Sequence, residues 1–129
     1  MKKLLLFAAV CTLHSCATIS EKPTTQKPGY VDHVVLMWMK NPTNQGQREQ
    51  LVAAVERLRK IAVIDEIAHG KALASERPVV DDSFDLGLLV RFPDAAALHS
   101  YEIDPLHQKE VKDVLRPLTR KIQVYDIVR

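Results

Sequence analysis

The stretch Val31–Met39 (VDHVVLMWM) constrains the fold more than any other part of the chain, because it is β-branched and apolar on both of its faces. Side chains alternate across a strand, so His33, Val35, Met37 and Met39 share one face while Val34, Leu36 and Trp38 share the other. A strand of this kind needs cover on both sides. Asn41-Pro42-Thr43-Asn44 breaks the run, and over residues 45–61 Leu51, Val55 and Leu58, flanked by Val52, Ala54 and Ile61, recur at helical spacing. Residues 64–71 form a short strand ending at Gly70, and residues 72–83, with Pro78 and Asp81-Asp82-Ser83, form the loop that follows. Residues 84–92 alternate Phe84, Leu86, Leu88, Val90 and Phe92 against Asp85, Gly87, Leu89 and Arg91, which predicts a strand with one strongly apolar face. Asp94 can cap a helix over residues 95–102. Asp104-Pro105 is a second start signal, a cap followed by proline at the first helical position, for a helix reaching about Leu115. Residues 121–128 make a last strand.

The resulting order is β-α-β-β-α-β with the second helix broken in two, the α+β plan of a ferredoxin-like antiparallel sheet. Helices cover one face of such a sheet. The other is left with Leu36, Trp38 and Leu89 on it, and an apolar face of that kind calls for a partner surface. A symmetric homodimer, two sheets packed through their open faces, is the expected solution.

Ahead of this domain, Lys2 and Lys3 precede an apolar stretch over residues 4–13, about ten residues, which is too short to span a bilayer and suits a signal peptide. It ends in Leu13-His14-Ser15-Cys16, which resembles the bacterial lipoprotein box. In that reading residues 1–15 are the signal and Cys16 is the acylated first residue, anchoring the protein in the membrane. Ala17 after the cysteine then favours the outer membrane in a double-membraned bacterium. An ordinary secretory signal cut after Ser15-Cys16-Ala17 is the alternative. Cys11 leaves with the signal, so no disulfide is expected. Residues 16–29, polar and carrying Pro23, Pro28 and Gly29, read as an extended tether, and residues 30–129 as one domain.

The chain carries 18 basic and 16 acidic residues; losing Lys2 and Lys3 with the leader leaves 16 of each sign. A neutral domain without a basic cluster gives no footprint for nucleic acid. His33, His69, His99 and His107 match no metal-ligand spacing, and no glycine-rich phosphate loop occurs, so neither metal nor cofactor is expected.

Several segments together resemble the stress-responsive dimeric α/β-barrel (Dabb) family. They are His33-Val34-Val35-Leu36, Gly70-Lys71, Leu89-Val90-Arg91-Phe92, Tyr101 with Asp104-Pro105-Leu106-His107, Leu115-Arg116-Pro117-Leu118, and Val124-Tyr125-Asp126. The resemblance covers nearly all of residues 31–129. It implies a homodimer with a barrel between subunits and no single activity.

His33, Tyr101 and His107 are the candidate catalytic residues. His33 points from its strand toward the helices, and the other two flank the helix break, so all three can meet at one pocket. The resemblance implies acid/base work, because in a plant polyketide cyclase of this family a tyrosine and a histidine matching Tyr101 and His107 serve an aldol step. A neutral imidazole can take a proton beside a carbonyl, and a phenol can donate to the developing enolate. Val35, Met37, Leu51, Val52, Val55 and Leu88 are the expected walls, an apolar lining for a small apolar or aromatic ligand. Three functions follow: a ligand-binding or structural module, a cofactor-independent cyclase, lyase or isomerase, or a monooxygenase-like enzyme. In the first, His107 only ties the broken helix together and Tyr101 only fills the core.

Overall fold

A computed structural model describes residues 29–129. Four strands, four α-helices and a π turn follow in chain order: β1 (Val31–Met39), α1 (Gln45–Leu58), β2 (Glu66–Gly70), β3 (Leu86–Phe92), α2 (Ala95–Glu102), α3 (Pro105–Glu110), a π turn (Val111–Leu115), α4 (Arg116–Leu118) and β4 (Thr119–Val128). The strands form one sheet in the order β2-β3-β1-β4, every neighbour antiparallel. This is the ferredoxin-like α+β plan that the alternation of strand and helix periods predicts.

Helices α1, α2 and α3 each begin where a side chain occupies an unpaired amide group. The Asn44 carboxamide oxygen accepts from the Gln47 amide at 3.0 Å, and Asp94 accepts from Ala97 at 2.8 Å. Asp104 accepts from Leu106 at 2.7 Å, with Pro105 behind it at a position that has no amide hydrogen to satisfy. After Glu110 the helix widens: the Arg116 amide bonds the Val111 carbonyl, five residues back rather than four. The expected break lies between α2 and α3, and the π turn adds a second irregularity that hydrophobic spacing does not announce.

On the helical face, Leu51, Ala54, Val55 and Leu58 of α1 are buried against Met37, Met39, Leu86, Leu88, Val90 and Phe92. Burying one such side chain contributes about 1.5–3 kcal/mol, so this stripe holds α1 to the sheet. A part-buried ion pair ties α1 to α3. Arg57 Nε and Nη2 each donate to a different oxygen of the Glu110 carboxylate at 2.7 Å.

The opposite face carries Val34, Leu36 and Leu89, all half-buried, with Tyr125 and Ile127 of β4 exposed beside them. Trp38, expected on this open surface, is instead only 4% exposed. The end of the long loop folds over it: the indole nitrogen donates to Ser83 Oγ at 2.9 Å, Phe84 meets the ring edge-on, and Lys121 Nζ lies 4.1 Å over its face. Phe84 also settles on Gly87, where an added Cβ would stand 3.1 Å from its ring. Asp32 and Arg91 close one end of this face through a 2.8 Å ion pair, with Glu66 on Arg91 and Arg129 on Asp32.

Candidate active site

Strand register places the first component. His33 lies directly opposite Asp126 in the β1–β4 ladder, and its Nδ1 stands 2.6 Å from Asp126 Oδ1. A carboxylate only accepts, so Nδ1 carries the hydrogen. The imidazole meets the ring of Tyr101 with centroids 5.9 Å apart.

Tyr101 comes from the last turn of α2, on the side that α2 buries with Leu98. It is 1% exposed and packs against Phe92 with ring centroids 5.0 Å apart. Among the described residues no group hydrogen-bonds its hydroxyl, yet no buried polar side-chain atom lacks a partner. The hydroxyl therefore opens onto the cavity. Burial pushes the phenol well above its ordinary range, so it stays a donor at neutral pH.

His107 stands on the first turn of α3, with its ring 4.2 Å from that of Tyr101. Its Nδ1 lies 3.1 Å from the carbonyl oxygen of Glu102. A carbonyl accepts, so the hydrogen sits on Nδ1 and Nε2 holds a lone pair. Burial, partly offset by that carbonyl and reinforced by nearby His33, holds the imidazole below the usual histidine range. At neutral pH His107 is uncharged and able to take a proton.

The structure brings His33, Tyr101 and His107 onto one cavity of about 380 Å³. Val35, Leu88, Val111, Leu115, Ile122 and Val124 supply its apolar wall, and Glu102 and Arg116 its rim. Of the walls expected from sequence, Val35 and Leu88 are in place and the other four are not. Met37, Leu51 and Val55 are 0% exposed, sealed in the core beneath α1. Val52 turns to a separate cleft beside Arg48, His69 and Phe84. The cavity opens under α2, α3 and the π turn, not under α1. Asp126 joins the site through the pairing of β4 with β1, which sets it against His33 and which no local pattern in the sequence marks. Among the described residues no three histidine or acidic side chains gather as a metal site: His69 pairs with Glu56 at 2.7 Å, and His99 stands 3.8 Å from Glu102.

Fold and site define a ferredoxin-like α+β domain in which two histidines and a tyrosine line one apolar hollow. The chain belongs to the Stress responsive A/B Barrel Domain (Dabb) family, whose model matches residues 31–129. Solved structures share the fold. A Dabb family protein with a ferredoxin-like fold from Mesorhizobium loti is 22% identical, with a TM-score of 0.67 over 78% of this chain and 97% of its own. A hydroxynitrile lyase from Passiflora edulis is 24% identical, with a TM-score of 0.69 over 80% and 95%. A dimeric protein of unknown function from Bacteroides fragilis is 21% identical, with a TM-score of 0.62 over 78% and 97%. No curated protein sequence matches the chain.

Proposed function

We propose that this domain is a homodimer that binds a small apolar or aromatic carbonyl compound in the cavity and makes or breaks a carbon–carbon bond there without a cofactor. The observation that carries this reading is the placement of Tyr101 and His107 together on one apolar cavity. Lyase and aldol-type cyclase chemistry share one requirement, a proton moved on or off an oxygen or carbon beside the bond that changes. His107 Nε2 is suited to take that proton, the Tyr101 hydroxyl to donate to the oxygen that carries charge, and His33, oriented by Asp126, to assist.

The Passiflora edulis neighbour supplies a concrete reaction to try. For an aromatic hydroxynitrile, His107 would take the hydroxyl proton as the C–O bond becomes a carbonyl. The C–C bond breaks in the same step, its electron pair leaving on cyanide, which takes the proton from His107. The test uses the full chain with mandelonitrile, following benzaldehyde by absorbance. Turnover above buffer, lowered by about 100-fold in His107→Ala and reduced in Tyr101→Phe, supports the reading. A melting temperature raised by benzaldehyde or a β-keto ester without turnover would reduce the function to binding. Absence of both effects overturns it.

The dimer reading draws support from the apolar open face and from the dimeric Bacteroides fragilis neighbour. Export rests on Lys2, Lys3, residues 4–13 and Cys16, which lie outside the described residues. In this reading the lipid on Cys16 holds the dimer at an envelope membrane, with simple secretion as the alternative.

A further inference from the structure

The apolar cavity does not end at its rim. Arg116 and Ile122 also line a second, shallow hollow of about 250 Å³, whose other walls are Thr119, Arg120 and Lys121. Arg116 and Arg120 are exposed, and among the described residues neither has a hydrogen-bonded or ion-paired side-chain partner. Two carboxylates are engaged elsewhere, Asp113 with Lys109 at 3.1 Å and Asp126 with His33 at 2.6 Å, and Glu102, on the rim itself, stands 3.8 Å from His99. Lys121 is held over Trp38. Arg116, on the rim of the apolar cavity, and Arg120, in the hollow that adjoins it, thus stand without an ion-paired partner among the described residues.

The π turn explains how Arg116 reaches that place. In a continuous α-helix the residue five positions after Val111 would point well away from it, because each residue turns the helix by about 100°. The wider turn, closed by the Arg116 amide on the Val111 carbonyl, swings Arg116 back toward the face that Val111 and Leu115 present to the cavity. Extra-residue turns of this kind are frequent at functional sites.

We infer that the ligand is an amphiphile, with an apolar or aromatic body seated against Val35, Leu88 and Leu115 and an anionic oxygen group, carboxylate or phosphate, held by Arg116 and Arg120. The planar fork of a guanidinium matches either group through paired N–H donors. This inference rests on the cavity being a ligand site and adds the charge of what enters it.

The experiment titrates the full chain with three probes by calorimetry: 3-phenylpropanoate, its uncharged amide, and 2-phenylethyl phosphate. One or both anions should bind about tenfold more tightly than the amide, with the preference shrinking as salt is added. Whichever anion binds better identifies the head group. In the Arg116→Gln, Arg120→Gln double variant the preference should vanish while the amide binds as before. Amide binding that equals that of both anions in the wild type, or a preference that survives in the double variant, overturns the inference and leaves the cavity reading standing. Failure of all three probes to bind overturns the inference, and the cavity reading then stands or falls on the mandelonitrile and benzaldehyde test.

Discussion

The rings of Tyr101 and His107 lie 4.2 Å apart at an angle of 42°, one presented by the end of α2 and the other by the start of α3. The contact spans the turn between the two helices, so it joins helix packing to the chemistry of the cavity. The two roles separate by substitution. Tyr101→Phe removes only a hydroxyl without a partner among the described residues and should change stability by less than about 1 kcal/mol, whereas Tyr101→Ala should cost about 3–5 kcal/mol. Urea denaturation of the full chain checks both values. A large loss in Tyr101→Phe would show that the hydroxyl supports the fold.

Acid should weaken the protein through His107. Its native pKa lies below the ordinary histidine value because of burial, so between those two pH values the unfolded chain binds a proton that the native state does not. Stability is therefore full above the unfolded value of about 6.5 and falls as pH drops toward the lower native value. In His107→Gln this part of the slope should disappear. Melting temperatures of both proteins between pH 7.5 and 5, about the range in which histidine titrates, measure the difference.

Glu110 is almost wholly buried, and Arg57, which bonds both of its oxygens, holds its carboxyl below the usual range. Arg57→Met leaves that carboxylate without its partner and should cost about 2 kcal/mol, less than a fully buried pair because the arginine is partly exposed. Glu110→Gln should partly restore the double variant. Chemical denaturation of the four proteins in the cycle gives the coupling.

The open face should be sensitive to charge. Leu36→Glu places a carboxylate among Val34, Leu89 and Tyr125 and should convert the proposed dimer to a monomer without changing the far-ultraviolet circular dichroism spectrum. Sedimentation equilibrium decides it; a wild-type monomer at micromolar concentration, roughly the range in which stable assemblies persist, would remove the dimer.

Cys16→Ser should release the protein from the membrane fraction and remove the mass of the lipid from its mature N-terminus. Mass spectrometry of that terminus checks it. A wild-type protein beginning at Thr18 with no modification would leave secretion alone.

Much of the architecture is legible in residue order. The alternation in β1 and β3, the spacing of Leu51, Val55 and Leu58, and the caps at Asp94 and Asp104 each mark an element by a local rule. The meeting of His33, Tyr101 and His107 is partly legible too, since strand parity turns His33 to the helices and the break flanks the other two. The cavity wall is not. Periodicity tells which side of an element is buried, but not which helix lies over it, so Met37, Leu51 and Val55 look the same as Val35 and Leu88 until the helices are in place. Strand parity puts Trp38 on the open face and cannot foresee its cover, because a loop that folds over a strand has no period.

The sequence by itself determined the elements, their order and the faces they bury, because these follow from steric preference and hydrophobic spacing within a few residues. Tertiary structure alone decided that Asp126 faces His33, that Arg116 swings round the π turn to the cavity rim, and that the space under α2 and α3 stays open while that under α1 is filled. Those outcomes depend on strand register and on how closely each helix approaches the sheet, and both are set by contacts between residues far apart in the chain.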